Sequence, residues 1–508
     1  MTEATLTRLR DHQRAPATAL FELYRRAGKA AVDLSDMGIG KTYTACAVAH
    51  ELGWPTLVVA PYVALTVWER AAKHFNDKFS LINYEMLSTG RTPFGRWENQ
   101  PAEGGFKAEE FLFCQSCQRE VFSDPARAFP CYTHGSGLHC VEIRKRTVER
   151  GSFNWNPAVK FLIFDEVHRC AGLDTLNADI LIGAKRQGIP ILGLSATAAC
   201  SPLQMRALGY CLDLHTLTQK RDGSGLNFYT WAKRYGAKWD QRFGGWKWLV
   251  GKKRQAETMA EIRRQIIPRA GVRVAIEDVP SFPECDITAE LYDLEEHGRL
   301  DRLYADMAEA LAGLEERARG DVNPEHPLTK ILRAAERIEL LKVPIAVDLA
   351  RDYVDKGYSV AVFVNYRATL KELLKRLGTD CFVDGSPEGV RDRWTHIDRF
   401  QADTRREIVV NSKAGGVCIS LPDVRGEFPR VGLVMPCYSA TTFRQVCGRL
   451  PRDGGKSKCH YRVMFVANSV EVPQHRALSS KLDNLDALND EDLAPMNLRL
   501  TKAVLEAL

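Results

Sequence analysis

No stretch of this sequence stays apolar for the roughly 20 residues that a membrane-spanning helix needs, so no bilayer span is expected. The opening residues, MTEATLTRLRDHQ, lack the apolar core of a secretory signal. A soluble, cytoplasmic protein with no membrane partner is therefore expected. Repeats at a fixed period and low-complexity tracts are missing too, which argues against a solenoid or a disordered tail protein. Neither sign of charge dominates: 70 Lys and Arg stand against 64 Asp and Glu, a net of +6 too small to name a partner by itself. There is also no disulfide framework. Most of the 14 cysteines stand alone in apolar segments, as Cys46, Cys211, Cys418 and Cys447 do, and suit small core residues in a reducing compartment. The exception is a cluster between Cys114 and Cys140.

What is present is a chain of 508 residues, too long for one core, so two or three domains are expected. Buried strands are read at Ala30–Leu34, Thr56–Ala60, Val159–Phe164 and Ile189–Leu194, with helical patterns between them. Thr42–Leu52 is a helix stopped by Gly53, and Ala64, Trp68, Ala71 and Phe75 recur at helical spacing. Continuous apolar strands alternating with helices predict a parallel sheet covered on both faces. From Leu212 to Arg319 the chain is charged and aromatic, and Leu291–Arg319 reads as a long charged helix. Asp321–Pro327, with two prolines, is the linker candidate. Alternation resumes with strands at Val360–Val364, Ile408–Val410, Val431–Met435 and Tyr461–Val466.

Ser35-Asp36-Met37-Gly38-Ile39-Gly40-Lys41-Thr42 has the spacing of a phosphate-binding loop between a strand and a helix, with Ser in place of the first Gly. Glycines allow backbone N–H groups to curl around phosphates, and the helix N-terminus adds positive partial charge. Lys41 would reach the β- and γ-phosphates, and Thr42 would hold Mg²⁺. Phe161–His168 puts Asp165 and Glu166 at the end of a buried strand, where open parallel sheets take their ligands. Asp165 would serve Mg²⁺, and Glu166 would orient and activate water. A glycine turn before Lys-Thr, or an acidic turn after a strand, is common alone; the two together point to ATP.

Through these motifs the sequence resembles the superfamily 2 helicases along most of its length. Asp165-Glu166-Val167-His168 resembles their acidic box, and Ser195-Ala196-Thr197 the motif that couples hydrolysis to lobe movement. Gln13 stands where the family reads adenine, and Ala60-Pro61 where it touches the nucleic-acid backbone. In the second half, Ser412-Lys413-Ala414-Gly415-Gly416 resembles motif V, and Gln445-Val446-Cys447-Gly448-Arg449-Leu450-Pro451-Arg452 resembles motif VI. The resemblance implies that Arg449 and Arg452 act as arginine fingers, and that Gln13, Gly38, Ile39, Gly40, Lys41, Thr42 and Gln445 bind the nucleotide.

Looser stretches resemble the Swi/Snf-type DNA-dependent ATPases: Asn83-Tyr84-Glu85-Met86-Leu87, Ile267-Pro268-Arg269, Asp278-Val279-Pro280, Lys342, Val362-Phe363-Val364-Asn365-Tyr366, Val383-Asp384-Gly385-Ser386 and Arg399-Phe400-Gln401. Motif VI departs from that branch and has the helicase form. The implied partner is DNA, with RNA less favoured. A duplex translocase without strand separation and an inactive scaffold are the rival readings.

Cys114-Gln115-Ser116-Cys117 is followed by Cys131, His134, His139 and Cys140. A C-x-x-C turn converges two thiolates on one tetrahedral ion, and a second pair at this distance completes a structural Zn²⁺ site. His134 and Cys140 both remain open as the fourth ligand. Phe228–Trp248 interleaves Trp231, Trp239, Trp246 and Trp248 with Lys233, Arg234, Lys238, Arg242 and Lys247. That composition suits a base-stacking platform or a small aromatic core, and the core reading is preferred. The expected architecture is α/β: two RecA-like parallel-sheet lobes, 1–215 and 328–470, with a zinc-binding insertion at 106–150, a connecting region at 216–320 and a helical tail at 471–508.

Overall fold

The computed structural model describes residues 1–98, 152–292 and 327–466, apart from 27, 197, 218–225, 241–244, 249, 416–418 and 437–439. It also describes 302–303, 305–306 and the backbone of strands at 108–114, 119–121, 141–147 and 498–500. Asp321–His326 lies outside the described residues, as does most of the charged stretch from 293 to 319.

The first sheet has six parallel strands in the order Gly271–Val272, Ala30–Asp33, Ile191–Leu194, Phe161–Asp165, Thr56–Ala60, Ser80–Asn83. Successive side chains point to opposite faces of a sheet. Leu57, Val59, Leu162 and Phe164 enter one buried cluster, whereas Val58, Ala60, Phe161 and Ile163 enter another. Both faces are covered, so the strands are apolar throughout and read as continuous runs. Helix Leu65–His74 turns Trp68, Ala71 and Ala72 onto the sheet, and Trp68 is completely buried. Helix Lys41–Leu52 ends at Gly53, whose left-handed φ of 62° only glycine adopts without strain.

The second sheet has seven parallel strands: Phe382–Val383, Glu407–Asn411, Ser359–Val364, Arg430–Val434, Cys459–Val466, Cys285–Tyr292 and Leu498–Leu500. The same alternation holds, with Ala361 and Phe363 in one cluster and Val360, Val362 and Val364 in the other. The expected two parallel-sheet lobes are therefore present.

Two local readings are corrected. Leu291 does not open a helix: it lies near the end of the strand Cys285–Tyr292, which pairs along its length with Cys459–Val466. Buried Ile287 and Ala289 alternate with less buried neighbours, a period-2 signal masked by the charges that follow. The chain thus enters the second sheet ahead of the Asp321–Pro327 segment. Within the tail expected to be helical, Leu498–Leu500 is instead an edge strand beside Ile287–Ala289. Three residues carry no period of their own, and pairing with a sheet edge decides their conformation.

Inside 106–150 the described strands Arg119–Val121, Ala108–Cys114 and Val141–Thr147 form an antiparallel sheet separate from the lobes. Among the described residues, no helix is long and apolar enough to cross a membrane.

Candidate active site

The loop from Ser35 to Thr42 leaves the Ala30–Asp33 strand and enters the Lys41–Leu52 helix at the C-terminal edge of the first sheet. Gly38 and Gly40 have φ of 89° and 94°, a region closed to most side chains. Ser35, which replaces the first glycine, braces the loop, since its hydroxyl accepts the Val274 N–H at 2.9 Å. Buried Asp36 continues the brace, accepting the Ile276 N–H at 3.1 Å and pairing with Arg273 at 3.4 Å. The loop is thereby tied to the segment that supplies the edge strand Gly271–Val272.

Lys41 Nζ donates to the carbonyls of Ser35 at 2.6 Å and Asp36 at 2.9 Å, folded back over its own loop. Burial pushes its pKa down, and the charges of Asp33, Glu166 and Asp36 oppose that shift. Gln13 Nε2 and His12 Nε2 both reach the Ile39 carbonyl, at 2.9 and 3.0 Å.

Asp165 ends its strand with every oxygen engaged. Trp68 Nε1 donates to Oδ2 at 2.8 Å, the Glu166 N–H donates to Oδ1 at 3.0 Å, and the Tyr84 hydroxyl donates to the backbone carbonyl at 2.8 Å. Glu166 has φ of 52°, left-handed for a residue that is not glycine, a conformation that costs about 1–3 kcal/mol and concentrates at working sites. Burial and the adjacent Glu166 carboxylate push Asp165 up to about 6. Burial acts on Glu166 too, but the His168 hydrogen bond and the cations Lys41 and Arg449 outweigh it, holding Glu166 down at about 2. Glu166 therefore takes the first negative charge of the pair. His168 Nδ1 lies 3.2 Å from Glu166 Oε2 and 3.1 Å from Ser195 Oγ, joining the acidic box to the Ser195-Ala196 turn. Thr197 lies outside the described residues.

The second lobe closes the site. Arg449 and Arg452 each donate to the Ile419 carbonyl, at 3.1 and 3.4 Å, which aims both guanidinium groups at the cleft. The Asp453 N–H donates to the Gly38 carbonyl at 3.2 Å, and its carboxylate pairs with Arg10 at 2.5 Å and approaches His12 at 3.5 Å. Arg70 of the first lobe lies over the Trp394 ring of the second at 4.9 Å.

Between the lobes is a cavity of about 560 Å³. Gln13, Gly38, Gly40, Lys41, Thr42, Asp165, Glu166, Arg449 and Arg452 all line it. Ile39 instead offers its carbonyl to Gln13, and half-buried Gln445, on helix Ala440–Cys447, stands outside the lining. Sequence reasoning missed the partners that hold these groups: Trp68 and Tyr84 on Asp165, and Arg10 with Asp453 across the cleft. A fully buried Trp on a helix signals packing, and nothing in its spacing announces that its N–H points at a carboxylate.

The donors fit Mg²⁺: the Asp165 carboxylate and the Thr42 hydroxyl, both hard oxygen ligands, line one cavity beside the Lys41 ammonium. Of the zinc candidates, Cys117, Cys131, His134 and Cys140 lie outside the described residues, and Cys114 is described only as backbone at the end of a strand. Among the described residues, no group of three or more His, Cys, Asp or Glu could hold a metal.

No protein-family model matches the chain. A protein of Acanthamoeba polyphaga mimivirus, provisionally named an ATP-dependent RNA helicase, is 29% identical over 477 residues, covering 91% of this chain and 80% of its own. Among solved structures, Saccharomyces cerevisiae Dbp5 and a variant of it, each bound to RNA and ADP–beryllium fluoride, align over 98% of both chains at 10% identity, with TM-scores of 0.44 and 0.45.

Proposed function

We propose that this chain is an ATP-driven nucleic-acid motor of the superfamily 2 helicase kind, acting on RNA. The observation that carries the motor reading is the single cavity in which Lys41, Thr42, Asp165 and Glu166 of one lobe face Arg449 and Arg452 of the other. Groups that must act together on a γ-phosphate are divided between two bodies, so hydrolysis is tied to how those bodies close.

Lys41 exchanges the carbonyls of its own loop for phosphate oxygens when the nucleotide enters. Thr42 and Asp165 would hold Mg²⁺, which would neutralise charge on the β- and γ-oxygens. Glu166, ionised at neutral pH, orients a water and accepts its proton. Arg449 and Arg452 put positive charge where negative charge develops as the phosphoryl group leaves. His168 and Ser195 link the acidic box to the loop beside it, a route by which hydrolysis can alter the first lobe's outer surface.

RNA stands ahead of DNA because the mimivirus relative carries an RNA helicase name. The preference for DNA drawn from the Swi/Snf-type stretches yields to it. The test is the ATPase rate of purified protein with single-stranded RNA, single-stranded DNA, blunt duplex DNA and forked DNA. Stimulation by RNA above the others is expected. Stimulation by blunt duplex DNA alone would restore the translocase reading, and no turnover with any of them would remove the motor.

A structural Zn²⁺ site in the 106–150 insertion belongs to the same proposal. Its support is the spacing of Cys114, Cys117, Cys131, His134 and Cys140, together with a backbone register that sets Cys114 opposite both Arg119 and Val141. Cys140 immediately precedes Val141 in the sequence, which favours Cys140 over His134 as the fourth ligand.

A further inference from the structure

Residues 227–240 and 245–248 pack against the first lobe's buried cluster. Helix Phe228–Arg234 sends Phe228 and Trp231 into the core, and after it comes an antiparallel hairpin, Ala237–Asp240 with Gly245–Trp248. Trp239 pairs with Trp246, and Lys238 with Lys247. Alternation then puts Ala237, Trp239, Trp246 and Trp248 on one face and Lys238, Asp240 and Lys247 on the other.

The aromatic face is tied down in all but one place. Trp246 stacks on Tyr229 at 4.8 Å and 19°, with Lys233 over its ring at 5.5 Å. Trp248 Nε1 donates to the Tyr235 carbonyl at 2.7 Å. These residues form the small aromatic core that the composition suggests. Trp239 differs: it meets Trp246 at 5.9 Å and 76°, not face to face, and it remains 53% exposed. The other tryptophans of the chain are buried or half-buried. Trp239 therefore keeps about half of its surface in water, where a flat ring could stack on it without disturbing the module's own core.

Among the described residues of this module, four basic side chains, Lys233, Arg234, Lys238 and Lys247, stand against one acid, Asp240, which pairs with Lys247 at 2.7 Å. The Gly245–Trp248 strand packs on the turn Pro202–Met205, which follows Ser195-Ala196. Tyr229 feels the charges of Arg206 and of Asp174, in the loop that follows the acidic box. Both loops issue from the C-terminal ends of parallel strands, the edge where open α/β sheets take ligands. The hairpin and the helix before it thus lie beside segments that follow the acidic box and the Ser195-Ala196 turn.

We infer that the hairpin is a stacking station for a base of single-stranded nucleic acid, with Trp239 supplying the ring and Lys233, over the neighbouring Trp246 ring on the same face, drawing in the phosphate. This rests on the motor reading. Duplex bases hide their faces in the helical stack, whereas an unpaired base of any kind offers its π-face to an aromatic ring. The station therefore favours a separated strand while tolerating all bases, and a surface this basic favours a polyanion over an apolar protein helix.

The test uses the full chain and equilibrium titration of a short fluorescent oligonucleotide, presented as single-stranded RNA, single-stranded DNA or blunt duplex. Stacking contributes about 1–3 kcal/mol per base, so Trp239→Ala should weaken single-strand binding by about tenfold and duplex binding far less. Trp239→Phe should keep most of the affinity. Wild-type single-strand affinity in Trp239→Ala, or an equal loss on single strand and duplex, overturns the inference while leaving the motor intact. If the wild-type protein binds none of the three, both readings fall together. Loss of a protein partner in Trp239→Ala, with nucleic-acid binding unchanged, makes the hairpin a protein-docking site and also overturns the inference.

Discussion

Trp68 and Asp165 stand 97 positions apart, yet the indole N–H of one meets a carboxylate oxygen of the other at 2.8 Å. A buried carboxylate stripped of a donor loses about 1–3 kcal/mol. Trp68→Phe, which keeps most of the packing, should lower thermal stability by that order and raise the Mg²⁺ concentration needed for half-maximal ATPase. An unchanged melting midpoint and Mg²⁺ requirement would dismiss the hydrogen bond as incidental. Lys41→Ala and Glu166→Gln act on phosphate and water rather than on packing, so turnover should fall by about 10²-fold or more with the fold kept. In Arg452→Ala, kcat should drop while ATP affinity changes little, because the guanidinium is needed mainly as charge develops on the leaving phosphoryl group. Separate measurement of nucleotide affinity and single-turnover rate distinguishes these; wild-type turnover in any of the three variants would remove that residue from the site.

At the scale of elements, the contact between the acidic box and the Ser195-Ala196 turn is one hydroxyl against one imidazole, 3.1 Å apart. Ser195→Ala removes it without touching a group that meets phosphate. Hydrolysis should stay near the wild-type rate while the number of strands displaced per ATP falls, read by assaying both on one preparation. Equal loss of both would mean that the serine serves the chemistry itself. The insertion at 106–150 invites a different measurement. Elemental analysis of protein purified without chelator should find about one zinc per chain, and Cys140→Ala should lose it more completely than His134→Ala. Metal-free protein of full stability would dispose of the zinc module.

For the molecule as a whole, the lobes meet where the phosphate-binding loop touches motif VI. A Cβ added to Gly38 would come within 2.9 Å of Arg452 Cδ and 3.2 Å of the Pro451 carbonyl, at a φ of 89°. Gly38→Ala should therefore strain the loop and hold the lobes apart. That clash is met only as the lobes close, so a closure penalty of about 1.4 kcal/mol would lower turnover at saturating ATP about tenfold. Small-angle scattering with a non-hydrolysable ATP analogue should show a more open particle than wild type. A variant that compacts and turns over normally would show that this contact does not limit closure.

What the sequence determined by itself is whatever local chemistry requires. Glycines at fixed offsets before Lys41-Thr42, paired acids ending an apolar strand, and the spacing of Arg449 and Arg452 each match what phosphate and Mg²⁺ would demand of neighbouring residues. Continuous apolar runs likewise announced most strands of both sheets, because a strand buried on two faces has no polar side to show. Tertiary structure decided what depends on distant partners. Cys285–Tyr292 and Leu498–Leu500 became strands because a sheet edge was there to pair with them. Ser35 found Val274, Trp68 found Asp165, and Arg10 found Asp453 across the cleft. Of four tryptophans with one composition around them, packing took three and left Trp239 half in water. Pairings of this kind carry no period and no spacing, since the chain that separates the partners is set by topology and not by the chemistry of the contact.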